Sequence, residues 1–174
     1  MECLAPEAEH RLNERLFDRL IAYLFQCAPF YQQKLGEAGF KPGAIRGLQD
    51  LPRLPMTTKE ELRESQKLDP PFGRHRACSP ETIVRVYSTS GTTGTPTYIG
   101  LTRHDLDLWI RVSTRSLWSR GVRPGDRVVS PLGAGPFVGG LANEVVDRLG
   151  ACLIPLGPGH TERVVASHRA LNAN

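Results

Sequence analysis

Ser88-Thr89-Ser90-Gly91-Thr92-Thr93-Gly94-Thr95-Pro96-Thr97 runs for ten positions without a charge or a large apolar side chain. Glycines let backbone N–H groups approach a ligand closely and adopt positive φ. Serine and threonine add hydroxyl donors, and successive N–H groups form concavities that bind anions. With no lysine or arginine inside it, such a loop would grip phosphate by dipoles rather than by net charge. A flexible Ser/Thr/Gly linker has the same composition, so residue types alone leave two readings. A Walker-type loop is a third, but it needs G-x-x-x-x-G-K-[ST] opening a helix. Here Gly94 is followed by Thr95, Pro96 and a strand-like run, and that reading fails.

The flanking residues favour a held loop over a tether. Thr82–Tyr87 is β-branched and aromatic and predicts a strand, and Tyr98–Leu101 predicts a second. Thr102 and Asp105 have the spacing of a helix cap, opening a helix to about Arg120 with Gly121 to end it. Leu106, Trp109 and Ile110 give that helix one apolar face, and Leu108 and Val112 predict a second covered side. His104, in the cap, reads as solvated unless a ligand at the loop reaches it. Further on, Gly133–Gly140 is a second glycine-rich passage, leading from a strand at Arg127–Pro131 into a helix. Val138, Leu141, Ala142, Val145, Val146 and Leu149 form that helix's stripe, Gly150 closes it, and Ala151–Pro155 is a continuous apolar strand. Strand–helix–strand with short apolar strands indicates a parallel α/β unit. Its glycine-rich crossing is where ligands bind in such sheets, although close helix–sheet packing asks for the same missing Cβ.

Upstream the chain reads as helical. Leu12, Leu16, Leu20 and Leu24, widened by Phe17 and Ile21, make residues 9–28 an amphipathic helix whose leucine stripe is expected to face the core. A short helix over Tyr31–Ala38 and a packed connector carrying Leu48, Leu51 and Leu54 follow. Glu60 and Glu61 invite an acid–base pairing, but adjacent helical residues do not face each other. Thr58 with Glu61 has capping-box spacing, which explains the pair better.

Bulk properties narrow the function classes. The 174 residues are 40% hydrophobic and 23% charged, with a net charge of +4 from interleaved acids and bases. This describes an ordinary globular domain, with no basic stripe of the kind that binds nucleic acid. Cys3, Cys27, Cys78 and Cys152 are too scattered for a zinc site or a disulfide framework. No apolar run approaches membrane-spanning length and the first residues lack the features of a leader. The expectation is a cytoplasmic protein with no membrane partner.

The loop resembles the signature of the adenylate-forming, acyl-CoA synthetase superfamily, and its surroundings resemble the phenylacetate–CoA ligase branch. Ala28-Pro29-Phe30-Tyr31, Leu51–Arg63, Gly121–Val128, Phe137–Gly140, Arg148–Ala151, Ile154-Pro155 and Thr161-Glu162-Arg163 carry the likeness. What the resemblance implies is an α/β fold: a helical N-terminal segment (1–80), then the first, incomplete part of an adenylate-forming enzyme's nucleotide-binding α/β domain (81–174), with the phosphate loop at 88–97. It further implies ATP-dependent aryl-acid–CoA ligation through an acyl-adenylate, with Mg²⁺ and coenzyme A. Ser88, Thr89, Ser90, Gly91, Thr92, Thr93, Gly94, Thr95 and Pro96 would then contact ATP phosphates.

Three features depart from the family. The position after G-T-T-G is commonly lysine there and is Thr95 here, leaving Arg103 as a neighbour able to supply the charge. The family's downstream motifs for adenine, ribose and the adenylation lysine have no counterpart, so no catalytic residue is assigned. The tail, Val164–Asn174, departs from the family after Arg163. The chain is therefore expected to behave as an N-terminal fragment, inactive alone. A second copy or a complementing C-terminal chain would cover its unpaired strand edges. Two other classes compete with the ligase reading: a non-catalytic nucleotide-binding module and a structural α/β partner domain. ATP binding separates both ligase and module from the structural domain, and turnover separates ligase from module.

Overall fold

The computed structural model describes residues 4–89, 96–133, 138–159 and 161–173. Two compact units divide the chain, Met1–Glu81 and Thr82–Asn174. The first is built from α1 (Pro6–Cys27), α2 (Pro29–Glu37) and α3 (Lys59–Leu68). Proline at the first position of α1 and of α2 costs no hydrogen bond, because those N–H groups have no partner inside the helix. Ala28, wholly buried, is the joint between the two helices. Gly39, at φ +83°, turns the chain after α2.

The core of this unit is Ile21, Leu35, Phe40 and Ile45, with Phe17, Phe25, Tyr31 and Leu54 packed around it. The inward stripe of α1 thus runs through Phe17 and Ile21. Leu16 and Leu20, expected to face the core, are about half exposed. The four-residue leucine spacing drifts around a helix of 3.6 residues per turn, so the buried face passes to Ile21, flanked by Phe17 and Phe25. In the connector Ile45 and Leu54 are anchored, whereas Leu51 and Met56 face solvent. The predicted capping box opens α3: Thr58 Oγ1 accepts from Glu61 N at 3.2 Å, and Glu61 Oε2 accepts from Thr58 N at 2.7 Å. Glu61 also takes the ammonium of Lys34 at 2.5 Å. That ammonium, with the Thr58 N–H, holds its carboxyl below the usual carboxylate range.

Among the described residues the second unit carries two two-stranded sheets. β1 (Ile83–Ser88) and β2 (Tyr98–Thr102) form an antiparallel hairpin, and β3 (Arg127–Ser130) pairs in parallel with β4 (Cys152–Pro155). Between them lie α4 (Arg103–Ser119) and α5 (Ala142–Leu149), and α6 (Thr161–Ala170) follows β4. α5 is the crossover that parallel pairing requires. It is shorter than the predicted 138–149 stripe, because Val138–Leu141 is a tighter helical turn. Gly150, in the left-handed region at φ +81°, ends it.

Tyr87, Leu106, Ile110, Leu141 and Val145 form one buried cluster, and Val146, Leu149 and Ala151 a second. Of the two predicted apolar faces of α4, only the one with Leu106 and Ile110 is buried. Leu108 and Val112 are half exposed, since neither sheet extends over them. Among the described residues no helix is long and apolar enough to cross a membrane.

Candidate functional site

The β1–β2 hairpin is what holds the Ser/Thr/Gly loop. Its register runs Arg85↔Leu101, Val86↔Gly100, Tyr87↔Ile99, Ser88↔Tyr98. Thr89 and Thr97 add one further rung, closing the neck of the loop. Thr89 N donates to Thr97 O at 3.0 Å, and Thr97 N donates to Thr89 Oγ1 at 3.1 Å. Side chains alternate along a strand, so Thr89 and Thr97 share the face that carries Tyr87 and Leu101. That face packs on α4 and α5. Thr97 is buried there, at 4% exposure, and its Oγ1 has no hydrogen-bond partner among the described residues; Ser88, on the opposite face, is also buried, at 9%. Pro96 is half-buried next to Thr97. Ser90, Gly91, Thr92, Thr93, Gly94 and Thr95 lie outside the described residues, as do positions 134–137 of the second glycine-rich passage.

The hairpin is fixed to its surroundings at three points. Tyr87 sits edge-on to Trp109 of α4, with ring centroids 5.5 Å apart. Arg85 Nη1 meets Glu144 Oε1 of α5 at 2.6 Å and reaches Tyr87 Oη at 3.4 Å. The Glu144 carboxylate, then the Tyr87 hydroxyl, raise the guanidinium's pKa further above its already high value. Finally, Thr102 caps α4 immediately after β2: Asp105 N donates to its hydroxyl at 3.2 Å, and its own N–H donates to Asp105 Oδ2 at 2.9 Å. Arg103 and His104 follow that cap and are exposed.

An apolar cavity of about 420 Å³ opens between α4, the end of β3 and α5. Trp109, Leu117, Leu132 and Val145 line it, and Ser113 and Ser130 contribute hydroxyls. A chamber of that size suits a small organic group with a few polar contacts. Among the described residues no group of three His, Cys, Asp or Glu gathers to hold a metal.

Reading the sequence missed Arg85 and Glu144 as the tie between the hairpin and α5. A signal existed, because Arg85 interrupts the otherwise uncharged Ile83–Tyr87 run, and a charge on an inward position needs a partner.

No family model matches the chain. Comparison with curated proteins finds phenylacetate–coenzyme A ligase of Thermus thermophilus, 42% identical over 166 residues, which are 95% of this chain and 36% of that protein. The Escherichia coli protein of the same name is 38% identical over 144 residues, 82% of this chain and 32% of its own length. The chain thus spans about a third of the curated relatives it matches. Among solved structures, 2-hydroxyisobutyryl-CoA ligase in complex with 2-HIB-AMP superposes with a TM-score of 0.88 at 29% identity, over 98% of this chain and 36% of that one. The same ligase with 2-HIB-AMP and CoA, in the thioesterification state, gives 0.86 at 33% identity, over 98% and 37%.

Proposed function

The chain belongs to the phenylacetate–CoA ligase-like family of adenylate-forming enzymes, and on that premise we propose that it supplies the phosphate-binding part of an ATP-dependent aryl-acid–CoA ligase. In the reaction of such an enzyme, a carboxylate oxygen attacks the α-phosphorus of ATP and the bond to pyrophosphate breaks, leaving an acyl-adenylate. The thiolate of coenzyme A then attacks the acyl carbon, and AMP departs. The loop's part is electrostatic. Backbone N–H groups and hydroxyls of Ser90, Gly91, Thr92, Thr93 and Gly94 hold the β- and γ-phosphates while negative charge moves onto the leaving pyrophosphate. Magnesium would arrive with the nucleotide and offset phosphate charge.

The observation that carries this reading is the fixed neck, with Thr89 and Thr97 bonded to each other at the end of a hairpin. A linker needs no such closure. A phosphate cradle does, because N–H donors stabilise developing charge only if they are positioned beforehand.

In this reading the first unit is a helical segment and the second is the nucleotide-binding part. These 174 residues engage ATP phosphate and do not complete both half-reactions alone. What supports the second point is that relatives named as ligases extend over about three times the matched length.

Calorimetric titration with ATP tests the loop. Replacing Thr92 and Thr93 together by alanine is expected to weaken binding by roughly 1.5–3 kcal/mol for each charge-assisted hydrogen bond lost. Unchanged affinity in a variant whose circular dichroism is intact would remove the phosphate role. Supplying ATP, Mg²⁺, coenzyme A and a panel of aryl acids tests completeness. Sustained release of AMP and pyrophosphate would show that the chain needs nothing more.

A further inference from the structure

The sequence pattern predicts a second covered face on α4, and the structure leaves that face open. Leu108, Val112 and Trp118 are 45%, 54% and 49% exposed. At 3.6 residues per turn the three fall on an arc of about 120°, turned away from the buried Leu106 and Ile110. Arg111 and Arg115 lie inside the same arc, and Arg120 and Arg123 follow where the helix ends. From Leu108 to Gly125 the sequence holds four arginines and no carboxylate. Neither Arg111 nor Arg120 has an ion-pair partner among the described residues. Apolar side chains exposed singly need no explanation, but an apolar stripe set among charges of one sign marks an interaction surface.

Trp118 is the part best prepared for a partner. The Arg123 guanidinium stacks on its ring, with Cζ 4.1 Å from the centroid. Arg123 Nη1 donates to Trp118 O at 2.6 Å and to Val122 O at 2.9 Å, which fixes the stack. An indole held in this way while half exposed gives up little rotational freedom on docking. Tryptophan and arginine are also the residue types that dominate binding energy at interfaces.

We propose that the outer face of α4 docks an acidic amphipathic helix of a partner protein. Its leucine-type side chains cover Leu108, Val112 and Trp118, and its carboxylates meet Arg111 and Arg120. The rise from Leu108 to Trp118 is about 15 Å, so the occupant is a helix of about three turns lying against α4. A phosphate backbone or a lipid headgroup layer would answer the arginines but leave the aliphatic side chains against polar groups. A helix with glutamates beside its leucines answers both. The docking face shares no residue with the Ser/Thr/Gly loop, and it does not depend on phosphate binding there.

The probe is a labelled synthetic peptide of about four helical turns, with leucines along one face and glutamates flanking them. Its twin carries glutamine in place of glutamate. Fluorescence anisotropy follows binding to the 174-residue chain, and iodide quenching follows the exposure of Trp118. The acidic peptide is expected to bind and to shield Trp118 from iodide. The double variants R111E/R120E and L108S/V112S should each weaken binding by about fivefold or more, and the glutamine twin should bind as weakly. Circular dichroism checks that the variants fold, and R111E/R120E carries the test if L108S/V112S does not. Equal affinity for the two peptides overturns the proposal, as does wild-type affinity in R111E/R120E. Absence of peptide binding overturns it too. Capture by vesicles of phosphatidylglycerol and phosphatidylcholine in place of the peptide would assign the face to a lipid surface instead.

Discussion

Leu106 is 1% exposed at the centre of the cluster that supports the loop's hairpin, against Tyr87 of β1, Ile110 of its own helix, and Leu141 and Val145 at the entry to α5. Leu106→Ala removes three carbon groups from that point. Transfer alone predicts a loss of about 2.4 kcal/mol at ~0.8 kcal/mol for each buried methylene-sized group. The surrounding side chains belong to three different elements and cannot all close on the gap, so a cavity contribution should bring the total to roughly 3–4 kcal/mol. That is a large part of the ~5–15 kcal/mol available to a typical domain. The assay is urea unfolding followed by tryptophan fluorescence. Trp109 and Trp118 are the only tryptophans in the sequence, and both lie in the second unit, so this signal reports that unit alone. Far-ultraviolet circular dichroism follows the helices of both units in parallel. The fluorescence midpoint should fall sharply while the first unit's share of the dichroism transition stays in place. A loss below about 1 kcal/mol would refute the reasoning, since it would mean that the Tyr87–Leu106 contact is not a core contact.

Two further outcomes follow from other contacts. The Arg85–Glu144 pair is about one-third exposed on each side, so a double-mutant cycle with alanine at both positions should give a coupling of only about 0.5–1 kcal/mol, smaller at high salt; a coupling insensitive to salt would contradict a solvent-screened pair. His75 sits against Ser65 Oγ at 3.1 Å, and burial lowers its pKa from 6.5. The unfolded chain therefore takes up the proton first. Stability of the first unit should be constant above pH 6.5 and decline as pH falls below it, a slope that His75→Gln should flatten in urea titrations at stepped pH.

The frame around the loop was legible from composition and spacing because the deciding interactions are local. The caps at Thr58 and Thr102 each join residues three apart, and the strands that border the loop are marked by β-branched runs. Burial choices were less legible. The sequence pattern offered α1 two overlapping stripes, and which one faces inward depends on Leu35, Phe40 and Ile45 from elsewhere in the unit. For α4, the exposure of Leu108 and Val112 reflects where two small sheets end, which no window of α4 itself encodes. Arg85–Glu144 joins positions far apart in the chain, and only the fold brings them together. That Thr97 Oγ1 finds no partner among the described residues is likewise a property of the packed hairpin, invisible in a run of threonines.

The strand pairings described above also bear on how quickly the second unit assembles. β1 meets β2 across the loop alone, and β3 meets β4 across the crossover that carries α5. Every strand contact is thus made between near neighbours in the chain, and low contact order favours rapid folding. Closing the hairpin carries an entropic cost that depends on the number of residues in the loop and only weakly on their identity. Substitutions of Thr92 and Thr93 that keep the loop's length should therefore change the refolding rate little.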